Sequence, residues 1–333
     1  MTLNRRSFIA AAAAGAAGAL LAAPSILGAA GKITLRMGHP HPETDSWQDT
    51  ALWMGETLAE KSGGEIGLQV FPNGLLGNDP TMINSVRAGA LDIMVTGNPF
   101  FTSLAPELNV LDLPYLFHDR DHVARVLDGE IGDRLRTDFE GTGLYALALW
   151  ETGWRHVTNS RRPVETPDDI KGLKIRTTPN PAHIEAFRLL GAVPTPMAFT
   201  ELFTALEMGA VDGQENPTTL ILNSRFYEAQ KYLSLTQHAF TAAPLVTNAA
   251  KLDAMDEDMR ALLIETAQEG ARRQRALNVE REVTSLAKLR EEGMEVVETP
   301  DRKAFRAIVA EPVQASFGEE FGPELIEQIN AAA

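Results

Sequence analysis

The segment Lys32-Ile33-Thr34-Leu35-Arg36-Met37 alternates polar and apolar side chains, and this period of two predicts a β-strand. Residues 47–61 follow it with the apolar spacing of a helix, which the pair Gly63-Gly64 ends. Residues 66–71 then repeat the strand pattern. Strand, helix and strand in this order predict an α/β unit with a mainly parallel sheet.

The same alternation continues along the chain. Asp79 as N-cap with Pro80 at the first helical position starts a helix that ends at Gly89, and residues 91–95 form an apolar run typical of a buried strand. Further on, the patterns predict strands over 143–150, 154–158 and 173–177, and helices over 183–190 and 200–208.

Two helix exits nearly match each other. They are Arg87-Ala88-Gly89-Ala90-Leu91-Asp92 and Glu207-Met208-Gly209-Ala210-Val211-Asp212. Two domains with the same order of strands and helices would show such a sequence similarity, and chance similarity is the alternative. A chain of about 300 residues after a leader is long enough for two domains with separate cores.

Residues 256–291 favour helix, although their middle, Arg272-Arg273-Gln274-Arg275, is strongly polar. One continuous helix would be about 50 Å long and would lean on both domains, wetter where it crosses between them. Two shorter helices broken at Gly270 are the alternative.

The amino terminus, Asn4-Arg5-Arg6-Ser7-Phe8-Ile9, precedes a mild apolar run over residues 8–21 and the small residues Gly28-Ala29-Ala30. This pattern predicts a signal peptide over residues 1–30, and the paired arginines indicate the twin-arginine route to the periplasm. An uncleaved anchor is the alternative. No later stretch reaches membrane length, so we expect a mature protein that does not span a membrane.

The charge balance limits the partners. Removing Arg5 and Arg6 leaves 28 basic against 45 acidic residues, a net charge of −17. Such a surface repels nucleic acid and anionic lipid, so neither is an expected partner. An anionic ligand would need a local cluster of arginines. The chain has no cysteine, and no apolar patch is legible, so a monomer is expected.

The usual enzyme signatures are missing: there is no His-Glu-x-x-His, no Gly-Lys-Ser/Thr loop and no Gly-x-Ser-x-Gly elbow. His39 and His41 lie two apart in a proline-rich loop and could hold a metal. Without cysteine or a further nearby histidine, we interpret them as loop histidines near a cleft. The sequence thus predicts no enzyme, no metal and no cofactor.

Arg176 stands out because it lies at the carboxyl edge of an otherwise apolar strand, where ligands bind in open α/β sheets. Its planar guanidinium matches a carboxylate with two parallel hydrogen bonds. An internal ion pair with Glu201 or Glu215 is the alternative. Asn216, before Pro217, could donate to the same carboxylate, and Phe199 could cover the carbon skeleton of a ligand or belong to the core.

With these segments together, the chain resembles the substrate-binding subunits of tripartite ATP-independent periplasmic (TRAP) transporters, the DctP-like family. The likeness covers nearly the whole mature chain and is strongest over residues 153–239. The motifs that carry it are Gly172-Leu173-Lys174-Ile175-Arg176, Pro194-Thr195-Pro196-Met197-Ala198-Phe199, Ala210-Val211-Asp212-Gly213-Gln214-Glu215-Asn216-Pro217, Phe226-Tyr227-Glu228-Ala229-Gln230-Lys231-Tyr232-Leu233, Phe71-Pro72-Asn73-Gly74-Leu75-Leu76-Gly77 and Leu113-Pro114-Tyr115-Leu116-Phe117.

The resemblance implies a two-lobed periplasmic binding protein fold with a hinged cleft and a long helix spanning both lobes. Lobe I would comprise residues 31–152 and about 241–280, and lobe II residues 153–240 and about 281–333. It also implies that Arg176 makes the main salt bridge to a ligand carboxylate, that Asn216 assists, that Arg155 adds a second cationic contact and that Phe199 packs on the ligand.

The chain departs from sialic-acid-binding members, which place charged residues after the first Leu-Asp strand. Here that position reads Thr96-Gly97-Asn98-Pro99-Phe100-Phe101, which argues against sialic acid and indicates a smaller or less charged ligand. Sugar acids are the favoured class, followed by C4-dicarboxylates. Further candidates for contacting the ligand are His39, Asp45, Trp47, Asn73, Asn98, Trp150 and His238.

The predicted function is therefore capture of a small organic acid and its delivery to the membrane subunits of a TRAP transporter. Three alternatives stay open on the sequence. They are a subunit of an ATP-driven importer, a periplasmic enzyme acting on a carboxylate, and a partner that presents ligand to a membrane receptor.

Overall fold

The computed structural model describes residues 33–333, so the predicted signal peptide over residues 1–30 lies outside the described residues. The strands are β1 (Ile33–Gly38), β2 (Ile66–Phe71), β3 (Ile93–Val95), β4 (Leu144–Trp154), β5 (His156–Asn159), β6 (Lys174–Thr177), β7 (Val193–Pro196), β8 (Gly213–Asn216), β9 (Tyr232–Ser234), β10 (Phe240–Asn248) and β11 (Glu295–Val297).

The α-helices are α1 (Ser46–Lys61), α2 (Asp79–Arg87), α3 (Arg120–Leu127), α4 (Glu130–Thr137), α5 (Pro181–Leu189), α6 (Leu202–Glu207), α7 (Thr218–Asn223), α8 (Ala249–Asp253), α9 (Glu257–Glu291), α10 (Arg302–Phe321) and α11 (Glu324–Ala331). Short 3-10 helices cover Asn98–Phe100, Pro106–Asp112, Pro167–Ile170, Phe199–Glu201 and Phe226–Glu228. None of the helices in this part of the chain has both the length and the apolar character to cross a bilayer.

Two sheets form the centres of two lobes, as the α/β pattern predicts. The first has the strand order β2-β1-β3-β10-β4, and the second has the order β11-β9-β5-β8-β6-β7. In each sheet one strand runs against the others: β10 in the first and β5 in the second. Helices on the faces of the mostly parallel strands bury their apolar side chains.

Strands β4 and β10 connect the two sheets. Sequence patterns predict separate strands over 143–150 and 154–158, but β4 is continuous because β10 pairs with it from Leu144 to Trp154. At the bulge, side chains of α9 supply the missing partners: Gln274 bonds the amide and the carbonyl of Glu151, and Asn278 donates to the carbonyl of Thr152. The register of β10 shifts at Thr241/Ala242 and again at Leu245/Val246, and such bulges bend a strand.

The echo between the two helix exits is a shared piece of structure. After α2, the amide nitrogen of Arg36 donates to the Asp92 carboxylate at 2.8 Å. After α6, the amide nitrogen of Lys174 donates to the Asp212 carboxylate at 2.9 Å. Each aspartate thus ties its helix exit to the neighbouring parallel strand, which supports the prediction of two similarly wound units.

One helix boundary differs from the sequence prediction. Asn78, not Asp79, caps α2, because the Asn78 side chain accepts a hydrogen bond from the amide of Thr81 at 3.0 Å. Asp79 enters the first turn and is fully buried, so its carboxylate is available for other contacts.

Helix α9 is continuous over 35 residues, about 50 Å, and contacts both α1 and α7. It does not break at Gly270, which is buried against Met54 of α1. The sequence predicts a solvent-exposed middle of this helix where it crosses between the lobes, and this prediction is wrong for part of that middle. Gln274 is fully buried, and its side chain bonds both the amide and the carbonyl of Glu151, at 2.9 and 3.0 Å, where β4 crosses between the lobes.

Candidate functional site

A narrow cavity lies between the two sheets, with a volume of about 20 Å³. Segments from both lobes form its wall. The lining residues are His41, Asp79, Thr96, Gly97, Pro99, Phe100, Thr152, Arg155, Arg176, Thr178, Phe199, Asn216, Leu220 and Thr241. The four residues that sequence reasoning and resemblance put first, Arg155, Arg176, Phe199 and Asn216, are therefore brought together in one wall.

Arg176 lies on β6, a strand of the second sheet, and its residue surface is 1% exposed. Its Nε and Nη2 donate to the carbonyl oxygen of Met197 at 3.2 and 2.7 Å. Within residues 33–333 no carboxylate lies within ion-pair distance of this guanidinium, so the internal ion pair weighed in the sequence does not form there. Burial lowers the pKa of Arg176 to about 10, and the positive charge of Arg155 adds to that effect.

Glu215 pairs with Arg155 instead. Both side chains are buried, and the guanidinium holds the carboxylate with two donors, Nε to Oε2 and Nη2 to Oε1, the latter at 2.8 Å. Burial opposes ionisation of Glu215, but Arg155 outweighs it and holds the pKa of that carboxyl well below its usual range. Glu215 therefore neutralises Arg155, and Arg176 is left with its charge.

The side-chain amide of Asn216 is hydrogen-bonded to Arg155 on one side and to Gln214 on the other. Its Oδ1 accepts a hydrogen bond from Nη2 of Arg155 at 3.2 Å, and its Nδ2 donates to Oε1 of Gln214 at 2.5 Å. Because an arginine only donates, this contact orients the amide and leaves the second Nδ2 hydrogen for another acceptor.

Phe199 closes the cavity from the second lobe. Its ring is half-buried, with its centre 5.1 Å from the ring of His41 in the first lobe. Its amide nitrogen donates to Oδ2 of Asp79 at 3.1 Å, and Oδ1 of the same carboxylate accepts from Thr96 Oγ1 at 2.5 Å. Asp79 thus holds the two lobes together over the cavity.

His41, which the sequence predicts to be a loop histidine near a cleft, lies in the wall. Sequence reasoning did not put forward five other polar wall residues: Asp79, Thr96, Thr152, Thr178 and Thr241. One signal was available, because Thr96 directly follows β3 and Thr178 directly follows β6. Hydroxyl residues at the carboxyl ends of parallel strands face the ligand crevice of open α/β sheets. Thr152 and Thr241 lie on the crossing strands, and their position depends on the pairing of β4 with β10.

His39, Asp45 and Trp47 lie behind the wall rather than in it. The His41 ring stacks on Trp47 with a centre distance of 3.6 Å, and its Nδ1 lies 3.2 Å from Oδ1 of Asp45. His39 is fully buried and bonds Gln48 at 2.9 Å. Burial lowers the pKa of His39 to about 4, so this ring is neutral at neutral pH.

The other four candidates occupy different places. Asn73 is exposed in a left-handed turn with φ 57°, and Trp150 belongs to the core under α9. Asn98 is buried and donates to the carboxylate of Asp112 at 2.6 Å, while His238 lies 3.2 Å from Oε2 of Glu215. The structure places none of the seven candidates in the cavity wall, and their ligand contacts stay predictions. In the described part of the chain, no three acidic or histidine side chains cluster to hold a metal.

Comparison with known proteins agrees with this two-lobed α/β fold. The family model described as bacterial extracellular solute-binding protein, family 7 (DctP), matches residues 37–320. The 2,3-diketo-L-gulonate-binding periplasmic protein YiaO of Escherichia coli is 41% identical over 299 residues, which cover 89% of this chain and 91% of YiaO.

Solved structures give the same result. A TRAP periplasmic solute-binding protein of Polaromonas, bound to D-erythronate, has a TM-score of 0.87 and 38% identity, covering 90% of this chain and 98% of that one. The sugar acid binding protein DctPAm of Advenella mimigardefordensis, in complex with galactonate, has a TM-score of 0.87 and 34% identity, covering 90% and 97%. The chain belongs to the family 7 bacterial extracellular solute-binding proteins, the binding subunits of TRAP transporters.

Proposed function

We propose that this protein captures a sugar-acid anion in the periplasm and delivers it to the membrane subunits of a TRAP transporter. One observation carries the proposal: Arg176 is a buried cation in the cavity wall, and only a backbone carbonyl oxygen accepts its hydrogen bonds within residues 33–333. A buried charge of this kind is costly unless an opposite charge joins it. A ligand carboxylate supplies that charge.

In this proposal the carboxylate docks on the edge of Arg176 that Met197 does not occupy. Asn216 donates its free amide hydrogen to the same group, and Nη1 of Arg155, which has only a 3.4 Å contact to Thr241, adds a second cationic contact. Both contacts are charge-assisted or oriented by neighbours, which makes them strong and selective for a planar carboxylate.

The rest of the wall favours a hydroxylated carbon chain. Phe199 offers an apolar surface to the carbon skeleton, and four threonine hydroxyls line the cavity for the ligand's own hydroxyls: Thr96, Thr152, Thr178 and Thr241. The relatives named for 2,3-diketo-L-gulonate, D-erythronate and galactonate bind ligands of this class.

Delivery requires that the lobes open and close. A ligand stabilises the closed form only when it contacts both lobes. Arg176 and Phe199 on one side, and Thr96 and Asp79 on the other, provide such contacts. The bulged strand β10 and its partner β4 are the segments that would absorb the hinge motion.

The proposal includes three further points. Residues 1–30 direct export by the twin-arginine route, the mature chain is a monomer, and it does not turn over its ligand. Arg5-Arg6 before a mild apolar run supports the first point. Separately, the acidic net charge of the chain argues against nucleic acid as a partner.

A thermal-shift screen with the mature protein tests the proposal. The panel holds aldonates, uronates and C4-dicarboxylates, and galactitol serves as the control because it keeps the hydroxyls of galactonate but has no carboxylate. A ligand at about 100 times its Kd adds about 2.7 kcal/mol of stability, which a melting curve resolves easily. We expect a sugar acid to raise the melting temperature and galactitol to leave it unchanged. Equal shifts with both compounds would contradict the role of the carboxylate.

A second measurement addresses turnover and energy source. After incubation with excess ligand, mass spectrometry should return the ligand unaltered. In vesicles that contain the cognate membrane subunits, an imposed ion gradient without ATP should drive uptake only when the binding protein is added. Uptake that requires ATP would place the protein with a different class of importer.

A further inference from the structure

Behind the cavity wall, the carboxylate of Asp112 is fully buried at the end of the 3-10 helix Pro106–Asp112. Its Oδ2 accepts hydrogen bonds from the side-chain amides of Asn98 and Asn180, at 2.6 and 3.0 Å. Its Oδ1 accepts one from Thr241 Oγ1 at 3.1 Å. All three donors are neutral, and no lysine or arginine of residues 33–333 forms an ion pair with this group.

The nearest titratable partner is His183 on α5, which is also buried. Its Nδ1 bonds Thr178 Oγ1 at 2.9 Å. Its Nε2 is buried without a hydrogen-bond partner in the described part of the chain and lies 3.8 Å from Oδ1 of Asp112. After a small adjustment of either side chain, the carboxyl oxygen and the imidazole nitrogen can share one proton in a hydrogen bond.

This pair spans the two lobes and touches the binding cavity. The Pro106–Asp112 helix contacts β10 of the first sheet, whereas Asn180 and His183 belong to α5 beside β6 and β7 of the second. Thr241, which lines the cavity, accepts a hydrogen bond from Arg155 at 3.4 Å and donates to Asp112. The pair is therefore two hydrogen bonds away from a proposed ligand contact.

The surrounding charges decide how many protons the pair holds. Arg155 and Glu215 act on both members and largely cancel each other as a bonded pair; His238 and Arg176 act on His183. Glu185 of α5 and Glu320 of α10 line the groove on the outer side of the Pro106–Asp112 helix. The cation that acts on Asp112 is Arg155, and Glu215 is already bonded to it.

Desolvation favours the protonated form of the Asp112–His183 pair. With one proton the Asp112–His183 pair is uncharged overall, and without it a negative charge is left in a site that excludes water. Burial raises the pKa of Asp112 to about 7, although Asn98 and Arg155 oppose the rise, and burial lowers the pKa of His183 to about 3. The proton therefore resides on Asp112.

We propose that Asp112 and His183 form a proton-binding site of the folded protein, and that capture of a carboxylate ligand tightens this site and is coupled to further proton uptake there, up to one proton. The coupling has two causes. Closure removes water from the pair, and with the ligand bound three carboxylates, those of Glu215, Asp79 and the ligand, face only the two guanidinium groups of Arg155 and Arg176. Both favour the protonated pair. The ligand in this statement rests on the proposed function.

The sign of the pH dependence follows by linkage. The pair binds its proton more tightly in the closed, liganded form, so affinity is full at low pH and declines as pH rises toward and through 7. One coupled proton limits the decline to about tenfold per pH unit.

Calorimetric titration with D-galactonate tests the coupling. At each pH between 5.5 and 7.5 the titration is run in two buffers of different ionisation enthalpy, and the difference in heat counts the protons taken up. Wild type should take up a substantial fraction of one proton. Asp112→Asn, which mimics the protonated acid, should take up none and bind with an affinity that varies little with pH. Glu185→Gln, at a half-buried acid on α5 that pairs with Arg188, should behave as wild type. Equal heats for wild type in both buffers at every pH would overturn the proposal.

A measurement without ligand separates this inference from the proposed function. A carboxyl whose pKa is raised by folding stabilises the protein below its unfolded value, and that stability is lost as pH rises through about 7. The melting temperature of wild type relative to Asp112→Asn should therefore fall between pH 5 and pH 8. If no sugar acid binds but this fall occurs, only the proposed function fails; parallel melting curves would remove the proton site itself.

Discussion

The guanidinium of Arg176 is held by the carbonyl oxygen of Met197, at 2.7 Å from Nη2 and 3.2 Å from Nε. A backbone oxygen fixes the direction of the side chain, but it does not neutralise the charge. Since Glu215 is committed to Arg155, the cavity keeps one oriented cation for a ligand. Pre-orientation of this kind lowers the entropic cost of binding.

Removal of this cation should abolish tight binding. We expect Arg176→Ala to cost about 2–5 kcal/mol in binding a sugar acid, which is more than tenfold in Kd. Arg176→Lys should also bind weakly, because an ammonium group cannot present two parallel donors. Calorimetry with D-galactonate measures both. Arg188→Ala, at an exposed position on α5, is the matched control and should bind as wild type. Unchanged affinity in Arg176→Ala would exclude it as the anchor.

The Arg155–Glu215 pair should contribute to folding. Glu215→Gln leaves Arg155 buried without its counter-ion, and loss of one partner of a buried pair typically costs about 3–5 kcal/mol. Urea denaturation at pH 7 measures the change. Glu228→Gln breaks the exposed ion pair with Arg225, which should cost about 0–1 kcal/mol. Similar losses for both variants would show that burial adds nothing to the pair.

The same carboxylate gives a pH signature in the unfolding free energy. Folding depresses the pKa of Glu215 below its ordinary value of 4.5. Its contribution is therefore present above pH 4.5 and is lost as pH falls below that value. The stability difference between wild type and Glu215→Gln should shrink from pH 7 to pH 3. A constant difference across this range would contradict the assignment.

Closure of the lobes should be sensitive to one glycine. A Cβ at Gly74, whose φ is +64°, would lie 2.7 Å from Cγ2 of Thr200 across the cleft. Gly74→Ala should weaken ligand binding by about 1 kcal/mol or more, because overpacking opposes the closed form. Gly63→Ala is the control, since Gly63 has nearly the same φ, +62°, with no atom within 4 Å of the added Cβ.

A second substitution isolates the clash. Thr200→Ser removes the Cγ2 atom and should restore much of the affinity lost in Gly74→Ala. Calorimetry reports the affinity, and small-angle scattering reports whether ligand still compacts the protein. If Gly63→Ala loses as much affinity as Gly74→Ala, backbone strain rather than contact between the lobes is the cause.

Helix α9 should tolerate a better helix former at Gly270. An added Cβ would lie 3.4 Å from Met54 and 3.5 Å from Thr50, which is ordinary contact. Gly270→Ala should therefore raise the unfolding free energy by about 0.5–1 kcal/mol through helix propensity. Thermal or urea unfolding measures the gain. Destabilisation by Ala would mean that α1 and α9 pack too closely there for a methyl group.

The limits of sequence reasoning show in particular residues. The pattern over 66–71 predicts β2 to the residue, because alternation is a local property. The prediction of two strands separated near Glu151 was wrong, because pairing with β10 overrides the local preference of these residues. The contact of Asp112 with His183 joins residues 71 positions apart in different lobes, and no local spacing marks it.

The chain alone determined its α/β class, its family, and the four residues Arg155, Arg176, Phe199 and Asn216 that the cavity unites, because strand periodicity and motif residues are written in short segments. Only the tertiary structure decided that Glu215 neutralises Arg155 and leaves Arg176 charged. Which carboxylate meets which guanidinium depends on distances set by the packing of two sheets, and those distances follow from no local pattern.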